Sequence, residues 1–486
     1  MRRFVAAAFA GFALAAPAQE VSPEIARALR AYSEFRTHAL AAWHPARREM
    51  LVLTSVRGAP VVHTLAEPGA RLQPLPATTG AADATYHSAR GDSFVFIAPG
   101  PDGLARVQRY DASTQSAAMV SPAGERAIDF AWSPSGDRIV YATASADGAR
   151  STLRTVDPLR PATEKVLGRH DGKWSDLRYA TNGRRVVATQ YLAGGESHLW
   201  QVAIPAGTTR RITRPDGKTR ASYGSPQFTR DGNSILALAR RGTELRHLVL
   251  LPIAGGKERI LTAHLKHSVD AFAVSSDAGL AALVTHENGA HVMRFIDLVT
   301  LKEQPRPPLL DGAIGGLAWR PGSREVGFHI SSARTAGDVF SYDVKSNQVT
   351  RWTNGNNPAV NARELPEPRI VRWKAAEGRD ATALLYAPPA RFPGKRPAIV
   401  DHRAAPHQVR AGFLGEANYL VNDLGIAIVR PDARGPRDIE SLLQWIGSQP
   451  GLDAARTIVI GEGGDAAIDE ETFMRASMDF ARRAGS

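Results

Sequence analysis

The stretch Ser133–Thr143, SPSGDRIVYAT, runs from a tight turn into a short apolar strand, and this pattern recurs along the chain. Pro, Asp, Asn and Gly in such turns supply the fixed or positive φ angles that tight hairpins need. The related turns are HPARR at His44, SARGD at Ser88, ATNGR at Ala180, TRDGN at Thr229, SSDAG at Ser275 and RPGSR at Arg320. The sequence therefore contains seven copies of one turn-and-strand unit.

The spacing of these units indicates the fold. The positions just before the turns (43, 87, 132, 179, 228, 274 and 319) are 44 to 49 residues apart. That period is typical of four-stranded propeller blades. Further strands such as HLWQVAI and DVFSYDV follow within the units. We predict an all-β, seven-bladed β-propeller over residues 43–353, because seven regular copies argue against a β-sandwich with coincidental spacing.

The N-terminus, MRRFVAAAFAGFALAAPAQE, has two arginines, an apolar run from Phe4 to Ala16 and small residues before a cleavage point near Ala18. This pattern predicts a signal peptide over residues 1–18, and hence an exported protein that is periplasmic or secreted. The run is shorter than the roughly 20 apolar residues that span a bilayer, so no membrane span is expected. Residues 19–42 are predicted to form a helical segment with Ser22 as its N-cap.

The composition limits the partners and the chemistry. The chain has 486 residues, a formal charge of +12 and no cysteine, which excludes disulfides, thiolate metal sites and cysteine nucleophiles. Its arginines are scattered through turns and form no dense stripe with aromatic neighbours, so we expect no nucleic-acid partner. We also expect no cofactor.

A second domain is predicted after a linker at 354–369, where Asn, Pro and Gly crowd together. The runs RPAIVDH, GIAIVRPDARG and TIVIGEGG suit the buried strands of a parallel sheet. Between the last two runs, Ile439, Leu442, Leu443 and Ile446 follow a helical spacing, with Asp438 as the expected cap. A strand, helix, strand order of this kind predicts a right-handed crossover within an α/β domain at 370–486.

The third run leads into a turn that has the shape of a nucleophile elbow. Such an elbow has the pattern G-x-S-x-G, which lifts a serine hydroxyl above the sheet. Here the five positions are Gly461, Glu462, Gly463, Gly464 and Asp465. Glycine stands where the serine is needed, so the elbow is predicted to be degenerate.

The sequence resembles the prolyl oligopeptidase family of serine peptidases, and more closely its dipeptidyl aminopeptidase/acylaminoacyl peptidase-like members. The segments RWKAAEGRDATALLYAPPARFPGKRPAIVD, GFLGEANYLVNDLGIAIVRPDARG and LLQWIGSQPGLDAARTIVIG carry this resemblance. It implies an α/β-hydrolase domain with a Ser-Asp-His triad that cuts short peptides, and a propeller that restricts access to it.

This chain departs from the family pattern at its catalytic positions. Where members have His-Gly-Gly-Pro in the oxyanion loop, this sequence has Arg403, Ala404, Ala405 and Pro406. The segment after the elbow that would bring the triad Asp and His is missing, and DEETFMRASMDFARR resembles the family's final helix. We therefore expect an internal deletion and a truncated α/β-hydrolase domain without catalytic residues.

Four other residues near the two degenerate segments are candidates for the missing chemistry. His402 and His407 flank the degenerate oxyanion loop and could polarise a bound group, or could simply be hydrogen-bonded residues. Ser441 and Ser448 lie in or near a helix without a local base.

Three further groups of residues could also take part in chemistry or bind a metal. His264 and His267, with Asp270 nearby, could hold a metal only if a third ligand joined them; otherwise they belong to a loop between blades. Glu462 and Asp465 could act as acid and base, but lack a nucleophile to assist. The repeat carboxylates Asp137 and Asp231 are expected to be turn formers first.

Three functions follow as hypotheses. The first is an exported pseudo-peptidase that binds short peptides or a protein partner without cleaving them. The second is an active serine-type dipeptidyl or acylaminoacyl peptidase with an unrecognised triad. The third is a non-enzymatic propeller scaffold whose shortened sheet exposes an edge, is sensitive to proteases or forms a homo-oligomer.

Overall fold

The computed structural model begins with a helix and continues into eight β-sheets. Helix α1 (Pro23–Ser33) precedes the first sheet. The predicted signal peptide at 1–18 and the predicted N-cap Ser22 lie outside the described residues. The structure describes residues 23–56, 58–214, 221–287, 289–309, 311–403, 409–461 and 468–484.

The first seven sheets each contain four antiparallel strands that are consecutive in the chain. Blade 1 contains β1 (Thr37–Trp43), β2 (Met50–Ser55), β3 (Val61–Leu65) and β4 (Gln73–Pro74). Blade 2 contains β5 (Asp83–Tyr86), β6 (Ser93–Pro99), β7 (Ala105–Asp111) and β8 (Ser116–Met119). Blade 3 contains β9 (Arg126–Trp132), β10 (Ile139–Ala144), β11 (Arg150–Asp157) and β12 (Arg160–Asp171). Blade 4 contains β13 (Lys173–Tyr179), β14 (Arg185–Tyr191), β15 (Ser197–Ala203) and β16 (Thr209–Arg211).

The remaining three blades follow the same plan. Blade 5 contains β17 (Ala221–Phe228), β18 (Ser234–Arg241), β19 (His247–Pro252) and β20 (Arg259–Ile260). Blade 6 contains β21 (Ser268–Val274), β22 (Leu280–Glu287), β23 (Ala290–Asp297) and β24 (Glu303–Gln304). Blade 7 contains β25 (Ala313–Trp319), β26 (Glu325–Ser332), β27 (Thr335–Asp343) and β28 (Gln348–Arg351). The seven repeats predicted from the sequence are therefore the seven blades of a β-propeller.

The recurring turns join the first and second strands of each blade. In blade 3 the carboxylate of Asp137 accepts hydrogen bonds from the hydroxyls of Ser133 (2.8 Å) and Ser135 (2.5 Å), and Gly136 has a φ of +74°. In blade 5, Asp231 accepts a bond from the Thr229 hydroxyl at 2.6 Å. These two carboxylates close their own turns, as the sequence predicted.

Tryptophans at the ends of first strands connect neighbouring blades. The indole N–H of Trp132 donates to the carbonyl of Thr85 in the preceding blade, at 3.2 Å. Trp319 makes the same kind of bond to blade 6. Trp43 in blade 1 donates to the carbonyl of Ala318 in blade 7 at 2.9 Å, so the contact that links consecutive blades also closes the ring.

An ion-pair cluster strengthens this closure between blades 1 and 7. Arg48 donates to both carboxylate oxygens of the buried Glu325, with distances of 2.7 and 3.0 Å, and Arg320 and Ser341 also bind that carboxylate. Burial would raise the pKa of Glu325, but the hydrogen bonds from Arg48 and Ser341 outweigh it and lower that pKa. Within the described residues no strand is shared between the two blades, so the propeller is closed by these side-chain contacts and by a backbone hydrogen bond from the N–H of Gly69 to the carbonyl of Trp352 at 3.0 Å.

The eighth sheet contains five strands in the order β29-β30-β32-β31-β33. They are β29 (Arg369–Lys374), β30 (Asp380–Tyr386), β31 (Arg396–Asp401), β32 (Ala427–Pro431) and β33 (Leu452–Ile460). β32, β31 and β33 are parallel, whereas β29 and β30 pair antiparallel. The predicted parallel sheet is therefore mixed. The reason is the short connection between β29 and β30, which permits only a hairpin.

Helices cover both faces of this sheet. They are α2 (Asn418–Asn422), α3 (Pro436–Ser448) and α4 (Glu470–Ala484). Ile439, Leu442 and Ile446 of α3 pack on one face, as the helical spacing predicted. Phe473 and Met478 of α4 pack on the other face together with α1 and α2.

The predicted cap of α3 is wrong. Gly435 occupies the N-cap position and Pro436 the first turn, a position that suits proline because its missing N–H would have no partner there. Asp438 lies within this first turn, and its carboxylate accepts hydrogen bonds from the backbone N–H groups of Arg434 (2.9 Å) and Ala376 (3.0 Å). This residue therefore ties the helix to the β29–β30 hairpin.

Among the described helices, none is both long and apolar enough to cross a membrane.

Candidate functional site

The two degenerate catalytic segments begin at neighbouring strand ends. β31 leads into His402 and Arg403, and β33 leads into Gly461; the two strands are parallel neighbours. The backbone N–H of His402 donates to the carbonyl of Ile460 at 2.8 Å. The structure thus brings together the first residues of the predicted oxyanion loop and of the predicted elbow. Their remaining residues lie outside the described ranges: Ala404, Ala405, Pro406, Glu462, Gly463, Gly464 and Asp465.

The backbone conformation and the neighbouring atoms at position 461 require a glycine. Its φ is +94°, a left-handed conformation that favours glycine. A Cβ placed on it would lie 2.9 Å from the backbone nitrogen of Arg403 and 2.9 Å from the carbonyl carbon of His402. Glycine is therefore the residue that fits the close approach between the end of β33 and the end of β31 at this position.

Arg403 is held by a network of charges. Its Nε lies 2.8 Å from Asp401 Oδ1 and its Nη2 lies 3.1 Å from Asp401 Oδ2, a bidentate pair. A third nitrogen reaches Glu470 Oε2 of helix α4 at 3.0 Å. The guanidinium also lies 3.8 Å from the centre of the Phe473 ring. Each of the three guanidinium nitrogens thus has a carboxylate partner, and one face of the group lies on an aromatic ring.

Asp401 is the centre of this network. Its side chain is only 4% exposed, and Arg430 of β32 donates to it at 2.9 Å in addition to Arg403. Burial would raise the pKa of Asp401, but the hydrogen bonds and charges of the two arginines outweigh it and lower that pKa. Two carboxylates (Asp401 and Glu470) and two guanidiniums balance one another, so the cluster carries no net charge.

The other candidates near the site are structural in the described part of the chain. His402 is buried, and its Nε2 lies 3.4 Å from the carbonyl oxygen of Ala433. The hydroxyl of Ser441 donates to the carbonyl of Arg437, one turn earlier in α3, at 3.0 Å. Ser448 bonds the same helix in the same way. His407 lies outside the described residues.

The two histidines of the HLKH segment are not brought together with Asp270. His264 Nε2 lies 3.6 Å from Glu303, and His267 Nε2 lies 3.8 Å from Glu287. Over the residues that the structure describes, no group of three His, Asp or Glu side chains is placed to hold a metal ion.

Asp270 belongs to a contact between the propeller and the five-stranded sheet. Arg410, in the segment after β31, donates to Asp270 at 2.8 Å and to His291 Nε2 at 2.9 Å. Burial would raise the pKa of Asp270, but His291 and Arg410 outweigh it and lower that pKa to about 2. The N–H of Ala411 next to it donates to the carbonyl of Gly289 in blade 6, at 2.9 Å. This contact anchors the chain just beyond the degenerate oxyanion loop.

Sequence reasoning missed Asp401 and Glu470 as partners of Arg403, and Arg430 as the second partner of Asp401. One signal was present: Arg430 is the single charge in β32, and Asp401 directly follows the apolar residues of β31. A buried charge in such a strand needs a partner.

Comparison with solved structures identifies the fold. The structure of a prolyl endopeptidase, from a study of two such enzymes, matches at 12% identity with a TM-score of 0.72, covering 90% of this chain and 71% of that one. Prolyl oligopeptidase B from Galerina marginata matches at 10% identity and a TM-score of 0.73, covering 90% and 70%. A puromycin-hydrolysing peptidase from Mycobacterium tuberculosis matches at 15% identity and a TM-score of 0.72, covering 89% and 75%. No protein-family model and no curated protein sequence matches the chain.

At these identities the likeness concerns the fold alone. The chain has the fold of the prolyl oligopeptidases, with a seven-bladed propeller and a C-terminal mixed sheet.

Proposed function

We propose that this protein is an exported, catalytically inactive relative of the prolyl oligopeptidases that binds short peptides without cleaving them. Its C-terminal part corresponds, in this proposal, to an α/β-hydrolase domain that has lost its triad. The N-terminal MRRFVAAAFAGFALAAPAQE supports export, because it has the charge, apolar run and small residues of a signal peptide.

The observation that carries the proposal is the segment after β33. Residues 460–469 read IGEGGDAAID and contain no serine, threonine or cysteine. Acyl transfer by this fold requires a hydroxyl or thiol nucleophile at the strand-to-helix turn. Gly461, which is closely packed against Arg403, is the last described residue before the central part of this segment.

The charges around Arg403 support inactivity as well. An oxyanion site needs donors that point at the developing negative charge and are free to receive it. The guanidinium of Arg403 is instead committed to Asp401 and Glu470 and covered by Phe473. A group held in this way by two carboxylates is oriented toward them and contributes to packing.

We propose short peptides as the ligand from the structural neighbours and from the interface between blade 6 and the five-stranded sheet. The Galerina marginata enzyme was solved with a 25-residue substrate, which indicates that this fold accommodates extended peptides. In this chain a cavity of about 30 Å³ lies between blade 6 and the five-stranded sheet, and it is lined by His286, Leu384 and Asp432. That volume suits a single water molecule, so we expect a peptide to enter only when the two parts separate.

The test compares labelling with binding. The purified protein is treated with a fluorophosphonate probe and with chromogenic dipeptide and acyl-amino-acid substrates, beside an active serine peptidase as control. We expect neither labelling nor turnover, together with saturable binding of short peptides by calorimetry. Stoichiometric serine labelling, or turnover that the probe abolishes, would show an active peptidase. If no peptide binds, the peptide-binding proposal is wrong, and the hypothesis of a non-enzymatic propeller scaffold remains.

We propose, second, that the free edge of β33 mediates self-association of the protein. One side of this strand pairs with β31, and in the described part of the chain no strand pairs with the other side. Val459 is 40% exposed there. The opposite edge strand, β29, carries Arg369, Arg372 and Lys374, charges of the kind that discourage strand pairing. We expect dimers in light scattering that Val459→Lys converts to monomers; a wild-type protein that is monomeric at high concentration contradicts this.

A further inference from the structure

A cleft lies between blades 2 and 3, at the turns that join their strands. Its volume is about 390 Å³. Three segments form it: the turn between β5 and β6, the turn between β9 and β10, and the hairpin between β11 and β12. The residues that matter for its chemistry are Arg90, Arg138, Arg160, Asp137, Asp157 and Leu159.

Each of the three segments contributes one arginine to the cleft. Arg138 Nε lies 3.1 Å from Asp137 next to it in the chain, and Arg160 Nε lies 2.7 Å from Asp157. Both are short-range pairs with exposed arginines, 39% and 77% respectively, and pairs of this kind are weak. The guanidinium of the exposed Arg90 has no hydrogen-bond or ion-pair partner within the described ranges.

The two carboxylates of the cleft are used by their own turns. Asp137 accepts the hydroxyls of Ser133 and Ser135, and Asp157 accepts the backbone N–H of Leu159 at 2.9 Å. Neither carboxylate pairs with Arg90. Three guanidiniums against two carboxylates leave the cleft with one excess positive charge, concentrated at Arg90.

The wall of the cleft behind Arg90 is tightly packed and is therefore formed before any ligand binds. The His87 Nδ1 accepts the backbone N–H groups of Ala89 and Arg90, both at 3.1 Å, and the His87 ring lies 4.8 Å from that of Trp132. A Cβ on Gly136 would lie 2.1 Å from the His87 ring, so the blade 3 turn packs directly against it. A wall fixed in this way reduces the entropy lost when a ligand binds.

We propose that this cleft is a binding site for a small organic anion that carries at least two phosphate or carboxylate groups. One anionic group binds Arg90, and a second binds Arg160 and Arg138 in exchange for their weak surface pairs. The guanidinium is well suited to both groups because its parallel N–H donors match two oxygens. Leu159, which is 55% exposed at the cleft, offers apolar surface to the carbon skeleton.

Calorimetry with two probes tests this site and separates the two sources of anion. Pyrophosphate represents phosphate ligands and citrate represents carboxylate ligands. The variants are Arg90→Gln, Arg160→Gln and, as a matched control, Arg230→Gln. Arg230 is an exposed arginine in the corresponding turn of blade 5. Because Arg90 and Arg160 are exposed, the variants should fold, and thermal melting verifies this.

We expect saturable binding of at least one probe, with an affinity that falls as salt increases. Loss of one charged hydrogen-bonding group typically weakens binding about 10-fold or more. Arg90→Gln and Arg160→Gln should each produce such a loss, whereas Arg230→Gln should match the wild type. Binding of pyrophosphate alone would assign a phosphate ligand, and binding of citrate alone a carboxylate ligand. Failure of both probes to bind, or equal affinities for all variants, would overturn the proposal.

Discussion

Replacing Asp401 with asparagine tests whether Arg403 has a structural role. The substitution keeps the size of the side chain and removes its charge. Asp401 accepts three charge-assisted hydrogen bonds, two from Arg403 at 2.8 and 3.1 Å and one from Arg430 at 2.9 Å. Without the carboxylate, two guanidiniums remain in a half-buried site with only Glu470 as a counter-charge.

The expected cost follows from the burial of the three side chains. Removing one partner of a buried ion pair costs about 3–5 kcal/mol. Arg403 and Arg430 are 16% and 22% exposed, so each regains some hydration in the variant. We therefore expect the low end, about 3 kcal/mol, which is a change of roughly 100-fold in the unfolding equilibrium.

Urea unfolding and hydrogen exchange measure the effect. Because Arg403 also binds Glu470 and lies on Phe473, the amides of α4 should exchange faster in Asp401→Asn. The matched control is Asp453→Asn, which removes an exposed pair with Arg456 (23% and 44% exposed) and should cost less than about 1 kcal/mol. Equal stability of the two variants, or unchanged exchange in α4, would refute the structural role of Arg403.

Three more outcomes are expected. Gly463→Ser should stay unlabelled by a fluorophosphonate, since no histidine follows position 407 to act as the base; labelling of this variant would reveal a base elsewhere. Glu325→Gln should lower the free energy of unfolding by about 2 kcal/mol, less than the usual cost of breaking a buried ion pair, because the arginines that bind it, Arg48 and Arg320, are 41% and 29% exposed. A double-mutant cycle with Arg48→Gln should show coupling between the two residues, and additive effects would argue against this contact between blades 1 and 7. Burial lowers the pKa of His38 to about 4, so the unfolded chain takes up a proton below about pH 6.5 that the folded chain does not. Because of this difference, the free energy of unfolding should fall by about 3 kcal/mol between pH 6.5 and pH 4. The fall should be smaller in His38→Gln, and the same pH dependence in both proteins would contradict the role of His38.

The propeller was predictable because its information is local and repeated. Each turn carries its own hairpin chemistry, and the positions predicted to precede the seven turns agree with the ends of the first strands within one residue; only the blade 2 strand, which ends at Tyr86, differs from the predicted 87. Repetition made the pattern visible, because a single copy such as SPSGD would fit many folds.

The mixed sheet was only partly predictable. The apolar runs identified β31 and β32, which are buried at the centre of the sheet. They also identified β33, an edge strand that is mostly exposed or half-buried but ends in the apolar residues Ile458, Val459 and Ile460. β29 reads RIVRWK, and its polar and apolar residues reflect an edge strand with little burial. Such a strand has no continuous apolar signal, so its antiparallel pairing with β30 was missed.

The network around Arg403 depends on distances that one sequence does not contain. Arg403 and Glu470 are separated by 67 positions, and the connection is made by the packing of α4 against the sheet. The positive φ of Gly461 concerns a single residue, and the sequence already places glycine there, whereas the elbow that it was predicted to begin lies outside the described residues. The charges of Asp401 and Arg430 indicated that partners were needed but did not indicate which residues these partners are.

Because every blade comes from one uninterrupted stretch of chain, the ring has no strand that must reach across its seam. A single in-frame duplication or loss of one unit, 44 to 49 residues long, would therefore add or remove a whole blade without disturbing the pairing inside the others. The contacts to be rebuilt would include those of Arg48 and Glu325, the indole bond of Trp43 and the backbone hydrogen bond between Gly69 and Trp352. Blade number in this architecture is thus open to change by simple genetic events.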